Sequence, residues 1–371
     1  MSNHSRLGTA RTHMRQRNLD ALVVFSQRRG HVAYLSGYRP NYHTNNAFLV
    51  LPLEGDPTLL IKFGFDMPRA RSMSWVQDIR PGHTEDVRCL FFECAEILKE
   101  KKLTKGRLGW VTADDVSDEM SDTLLRATKE ALPGAKLEPA SDLVRQMRLS
   151  KEPGEVELLS RCTQVCELAA DAFAQAVAPG VEDFAAAAQA TAAAVAAGAN
   201  RYDMIISLDP ADVALPPSHK RFRQGDPISF ELTTEFEGYW IQICRTLSLG
   251  PSSPLQKRVF AACRDGYDAA VAVAKPGVRA AEVAKAATDV IDKAGFEGCI
   301  QYGLGHGIGL DIPEPCSIDV NSPAVLSDQM ALIIHPSVWT DGASGFVGGP
   351  IIVSATGPRV LDHPQREMIE V

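Results

Sequence analysis

Tyr302-Gly-Leu-Gly-His-Gly-Ile-Gly-Leu-Asp-Ile-Pro-Glu-Pro315 is the stretch from which the rest of the chain can be read. One histidine, His306, stands among four glycines, and the run leaves through two prolines. Glycine on either side admits positive φ and lets another group come close to the backbone. A histidine held in such a loop can act as metal ligand, hydrogen-bond donor or base. Taken alone, the same run also fits a tight turn with an incidental histidine.

Working outward, two apolar segments follow it. Met330–His335 and Val347–Val353 read as strands on either side of a glycine-rich loop, Asp341–Gly345, and the first ends in a second histidine, His335. Upstream, residues 226–249 read as a β-hairpin with Phe236-Glu237 as its loop, which sets Glu231 opposite Gln242. The period of two puts Ser229, Glu231, Thr233, Gln242 and Cys244 on one face, and Phe230, Leu232, Tyr239, Ile241 and Ile243 on the other. So polar a face in strands this apolar lines a pocket or meets solvent. Arg245 falls on the opposite side by parity, where a structural ion pair is its expected role.

Further upstream, Arg145–Gly154 is charged and ends in Pro-Gly, the best boundary in the sequence. It divides the chain into 1–148 and 149–371. Helices are expected over Glu155–Val177, Glu182–Ala197 and Ala280–Ala294. The connectors Pro179-Gly-Val181 and Pro276-Gly-Val278 echo each other, which suggests a duplicated unit. Cys162 and Cys166, four apart on the first helix, read as core packing. In the first part, Ala21–Phe25, Val32–Leu35, Ala47–Leu51 and Thr58–Ile61 read as strands with helices before and between them. Among them lies a polar loop carrying Arg39, Tyr42 and His43.

The 371 residues carry a net charge of -8, which argues against nucleic acid or an anionic membrane as the main partner. No apolar run is long enough to span a bilayer, the N-terminus has no hydrophobic signal core, and eight cysteines lie without CxxC pairs. A reduced, cytoplasmic protein is the expectation.

Residues 152–371 resemble the catalytic domain of the pita-bread family: methionine aminopeptidases, prolidases, aminopeptidase P and creatinase. The resemblance rests on Arg148-Leu-Ser-Lys-Glu-Pro-Gly-Glu-Val-Glu157, Gly225-Asp226, Gly238-Tyr239, Arg245-Thr246 and Gly305-His-Gly-Ile-Gly309, with His335-Pro336 where the family has Glu-Pro. Tyr34-Leu-Ser-Gly-Tyr38 resembles the N-terminal domain of the prolidase–creatinase branch. The resemblance implies an α/β N-terminal creatinase-like domain and an α+β pita-bread domain with a curved antiparallel sheet. It also implies a homodimer in which Arg39, Tyr42 and His43 contact substrate at the neighbouring subunit's site.

The family's metallopeptidases bind two divalent metals through two aspartates, a histidine and two glutamates. Carried onto this chain, those positions are Glu231, Gln242, His306, His335 and about Gly348, and the family's second histidine is Pro313, beside Glu314. One carboxylate, an amide and a glycine cannot bridge two cations, so a dinuclear metallopeptidase is not expected. Creatinase is the precedent for hydrolysis without metals, although its histidine maps to about Ala214, with His219 the nearest histidine here, and its glutamates to Cys244 and His335.

Three readings follow. In the first, a metal-independent, creatinase-like hydrolase with no cofactor cleaves a C–N bond in a small amidino, ureido or amide metabolite. His306 or His335 acts as base, Glu231 and Glu314 assist, and Gln242, Cys244 and His219 bind substrate. In the second, Glu231, His306 and His335 hold one divalent metal in a hydrolase or lyase. In the third, the chain is a pseudopeptidase that binds a ligand or partner.

Overall fold

The computed structural model describes residues 3–26, 30–40, 46–83, 87–112, 122–208 and 213–371. The chain divides into two compact units, Met1–Arg148 and Leu149–Val371. In the first, the helices are α1 (Asn3–Arg17), α2 (Gly30–Ser36), α3 (Met67–Met73), α4 (Val87–Glu100), α5 (Asp122–Ala131) and α6 (Ser141–Leu149). The strands are β1 (Ala21–Ser26), β2 (Ala47–Pro52), β3 (Thr58–Ile61), β4 (Asp78–Pro81), β5 (Arg107–Val111) and β6 (Lys136–Pro139), in the sheet order β4-β3-β2-β1-β5-β6. β1 runs antiparallel to β2 and parallel to β5. The inner strands β1, β2, β3 and β5 read as near-continuous apolar runs because both their faces are buried, whereas the edge strands β4 and β6 are more polar and less buried. Phe25, Phe48, Phe91 and Trp110 pack together as its aromatic core.

Val32–Leu35, expected as a strand, lies within α2 instead. A four-residue apolar run carries no period of its own. All seven residues of α2 are buried, so the helix has no polar face to betray it.

The second unit opens with α7 (Pro153–Ala176) and α8 (Asp183–Ala196), followed by β7 (Arg201–Ser207), β8 (Pro227–Phe236) and β9 (Tyr239–Ser248). Then come α9 (Pro254–Val273) and α10 (Ala280–Lys293). The remaining strands are β10 (Gly305–Gly307), β11 (Glu314–Ser317), β12 (Ala331–Ile334), β13 (Ser337–Thr340), β14 (Ala343–Phe346), β15 (Gly349–Ile352), β16 (Arg359–Val360) and β17 (Ile369–Glu370). They form the sheets β17-β9-β8-β7 and β11-β10-β12-β15-β16, with β13–β14 as a separate hairpin. A backbone bridge between Cys244 and Gly348 joins the two larger sheets. Gly180 and Gly277 take φ of 79° and 87° in the two Pro-Gly-Val connectors, so the echo in sequence is one of backbone geometry as well. Cys162 and Cys166 are buried on α7 against β8 and β9. The expected glycine-rich loop before β15 is mostly the β13–β14 hairpin.

The β8–β9 hairpin turns at Glu237-Gly238, one residue later than expected, which sets Glu231 opposite Cys244 and Gln242 opposite Thr233. The register moves by two, an even slip, so every side chain keeps its expected face.

Candidate active site

A row of residues runs across the junction of the two sheets. Glu231 on β8 lies opposite Cys244 on β9, and Cys244 pairs with Gly348. Gly348 lies against His335: a Cβ there would come within 2.7 Å of the His335 Cβ and collide with the Ile334 carbonyl. Position 348 therefore has no room for a side chain beside the backbone and Cβ of His335.

His306, on the three-residue strand β10, is paired with Ile333 on β12. Its Nδ1 lies 2.9 Å from the Gly307 carbonyl, which can only accept, so Nδ1 carries the hydrogen. Nε2 is left facing Gln242, whose Oε1 is 3.0 Å away. Burial holds this histidine below its ordinary value, which favours the neutral ring with its lone pair on Nε2. Into that lone pair the Gln242 amide donates when turned end for end. Only the imidazolium form donates to both partners at once.

His335 is 2% exposed, and neither ring nitrogen has a hydrogen-bond partner among the described residues. Burial, with the neighbouring His306, pushes it down to about 3, so it is neutral. Its ring centroid lies 5.6 Å from that of His306, 5.5 Å from Tyr302 and 5.6 Å from Phe346. Trp339 packs behind Phe346 and donates through Nε1 to Ser207 Oγ at 3.3 Å.

Glu231 is 6% exposed, and desolvation raises its pKa to about 7, against hydrogen bonds from Gln242 and Cys244 that lower it. The Cys244 thiol donates to Glu231 Oε2 at 3.8 Å. Burial pushes that thiol well above its usual value, and the charge of Glu231 adds to the effect. A thiol so placed is no nucleophile at neutral pH.

Other expected site residues are drawn elsewhere. Glu314 pairs with Gly307, one residue out of phase with His306, so it faces the other side of β10. There Lys151 Nζ holds its Oε2 at 2.6 Å, and Oε1 accepts from the Leu310 amide at 2.9 Å. A buried ion pair replaces the expected assisting role. His219 is exposed; its ring stacks on Phe184 at 4.5 Å and its Nδ1 lies 3.3 Å from Glu182. Arg39, in the first unit, is half-buried, and its carbonyl accepts from Arg69 Nε at 2.9 Å. Tyr42 and His43 lie outside the described residues. As parity predicts, Arg245 faces away from Glu231, pairing with Asp362 at 2.9 Å.

Sequence reasoning singled out neither the aromatic partners of His335 nor Lys151. Tyr302 opens the quoted glycine stretch and Lys151 stands in the quoted boundary, so both were in view without a local pattern to mark them. Among the described residues, no three His, Cys, Asp or Glu side chains are grouped so as to hold a metal ion as they stand.

The comparisons with known proteins agree with this architecture. Residues 157–354 match the model of metallopeptidase family M24, and residues 6–150 match the creatinase/prolidase N-terminal domain. The chain is 26% identical to the uncharacterised peptidase YqhT of Bacillus subtilis over 243 residues, 63% of this chain and 68% of that one. It is 26% identical to a Xaa-Pro dipeptidase of Pyrococcus horikoshii over 234 residues, 62% and 66% of the two chains. The structure of a Xaa-Pro dipeptidase from Bacillus anthracis superposes with a TM-score of 0.87 at 21% identity, covering both chains in full. These findings overturn the expectation of a metal-independent, creatinase-like hydrolase of amidino or ureido metabolites without a cofactor. The matching family is one of metallopeptidases, and the relatives similar in sequence are named a peptidase and a Xaa-Pro dipeptidase. With more than half of its length matched, and with the fold to go with it, the chain belongs to metallopeptidase family M24 and carries the creatinase/prolidase N-terminal domain in front.

Proposed function

We propose that this protein is a metal-dependent hydrolase of an amide C–N bond in a small, polar, dipeptide-like substrate, with a single divalent cation held by Glu231, His306 and His335. The observation that carries the reading is His335, buried with two unpartnered ring nitrogens beside His306. A buried polar group without a partner costs free energy, and a cation shared by the two imidazoles would supply what is missing.

A two-cation centre does not fit these residues. Gly348 brings no donor and has no room for one, and Gln242 is neutral, which leaves Glu231 as the one carboxylate in the row. One cation fits the donor chemistry: two neutral imidazoles and a carboxylate that desolvation now disfavours in its charged form. To complete the set, Glu231 has to turn away from Gln242 and Cys244.

Bound there, a divalent cation supplies Lewis-acid polarisation of the scissile carbonyl and of water. The Gly307 carbonyl fixes the His306 ring and presents Nε2. Gln242, released from His306, offers an amide to a polar group of the substrate. Tyr302 and Phe346 form an apolar wall that excludes water.

A non-catalytic binding protein is the second reading, favoured by the absence of a closed metal-holding group among the described residues. Elemental mass spectrometry after exposure to Zn²⁺, Mn²⁺ or Co²⁺, with Xaa-Pro dipeptides assayed in parallel, separates them. About one metal per chain, lost in His335→Ala, with cleavage, supports the hydrolase. Two per chain overturns the single-cation centre, and neither metal nor cleavage favours the binding protein. By the same family analogy the chain acts as a homodimer with Arg39, Tyr42 and His43 reaching the neighbouring site. A monomer in sedimentation, or unchanged kinetics in Arg39→Ala, sinks that part.

A further inference from the structure

The buried pair Lys151–Glu314 has no place in the chemistry above, yet it is fastened to the neighbours of the strands that lead to both histidines. Lys151 and Glu314 side chains are 2% and 4% exposed. The Lys151 backbone amide donates to the Gln329 carbonyl at 2.8 Å, and Ser150 bridges Met330, so this segment is fastened to the chain leading into β12. His335 follows at the other end of β12. The Lys151 side chain crosses to Glu314 on β11, the far neighbour of β10. One ammonium group thus ties the approach to β12 to β11 across the strand of His306.

Glu314 spreads the tie into the glycine loop. It accepts from the Leu310 amide, and a Cβ on Gly309 would come within 2.8 Å of its carboxyl carbon. The glycine at 309 is thereby accounted for by the buried carboxylate. Two charges withdrawn from water carry a desolvation cost that apolar residues of similar volume would avoid, which points to a role in fixing one arrangement.

We propose that Lys151 is a positioning residue for His306, acting through Glu314 to hold loop 307–314 so that the imidazole stands beside His335. The proposal rests on the functional reading above only in taking His306 as a working group.

The test uses the full chain as wild type, Lys151→Met, and the double variant Lys151→Met/Glu314→Leu. Hydrogen exchange by mass spectrometry, Zn²⁺ affinity by calorimetry and melting temperature are measured on each. Lys151→Met leaves a buried carboxylate unpaired, so peptides covering 305–314 should exchange about tenfold faster while the β8–β9 peptide stays protected. Zn²⁺ affinity should fall by about tenfold or more, as when a ligand loses its outer support. The double variant should recover its melting temperature, because apolar replacement of a buried pair is tolerated. It should not recover slow loop exchange or Zn²⁺ affinity, because the Leu310 amide has lost its acceptor.

Recovery of all three properties together would show a merely structural role and overturn the proposal. So would unchanged loop exchange in Lys151→Met, or loss of protection across the whole unit. If the wild type binds no Zn²⁺, the single-cation reading fails alone, and the exchange data still judge Lys151.

Discussion

Replacing Glu231 by glutamine removes an ionisation that the folded chain resists, and the size of that resistance can be worked from its burial. The carboxyl is 6% exposed, with a pKa near 7 in the fold against 4.5 for the free group. Because the folded value lies above the unfolded one, stability is full below about pH 4.5 and is lost as pH rises through about 7. With 1.36 kcal/mol for each pKa unit, ionisation costs the wild-type fold about 1 kcal/mol at pH 5 and about 3 kcal/mol at pH 8.5. Glu231→Gln is free of this cost. Relative to the wild type it should therefore gain about 2–3 kcal/mol of stability between those two pH values. Any change in hydrogen bonding to Gln242 or Cys244 adds an offset but no slope. Urea denaturation of both proteins in the presence of EDTA measures the difference, since chelation removes any cation that would favour the carboxylate. A wild-type-minus-variant difference that stays flat across that range would mean the carboxylate is solvated or already paired. The desolvated site described here would then be wrong.

His335 gives the opposite slope. Its folded pKa, about 3, lies below the ordinary 6.5, so the chelated protein should lose stability as pH falls from about 6.5 towards 3, and His335→Leu should lose less; equal acid sensitivity would refute a buried neutral ring. Gly348→Ala drives a methyl into the Ile334 carbonyl and the His335 side chain. It should cost about 1–3 kcal/mol in chemical denaturation, and a neutral result would mean that position 348 is open. Arg245→Met strands the Asp362 carboxylate, whose side chain is 0% exposed; a loss of about 3–5 kcal/mol is expected, and much of it should return in Arg245→Met/Asp362→Leu.

The sequence by itself determined which faces and which strands. Alternation in 226–249 assigned Glu231, Gln242 and Cys244 to one side whatever the register, because an even slip leaves the parity of every residue intact. The glycines around His306 announced close backbone approach, and the segments ending at His335 and beginning near Gly348 announced their strands. All of this is local, a matter of period and backbone freedom within a few residues.

The tertiary structure decided who meets whom. His306 reaches Gln242 across 64 residues, and Lys151 reaches Glu314 across 163. Neither contact leaves a periodic trace, because the energy that selects it belongs to the packing of whole sheets. The same holds for Val32–Leu35, a helix fixed by burial on all sides. Glu314 shows the limit most plainly. Its neighbours in sequence suggested a working carboxylate, but strand pairing turned it to the other side of β10, where burial demanded a counter-charge and Lys151 supplied one.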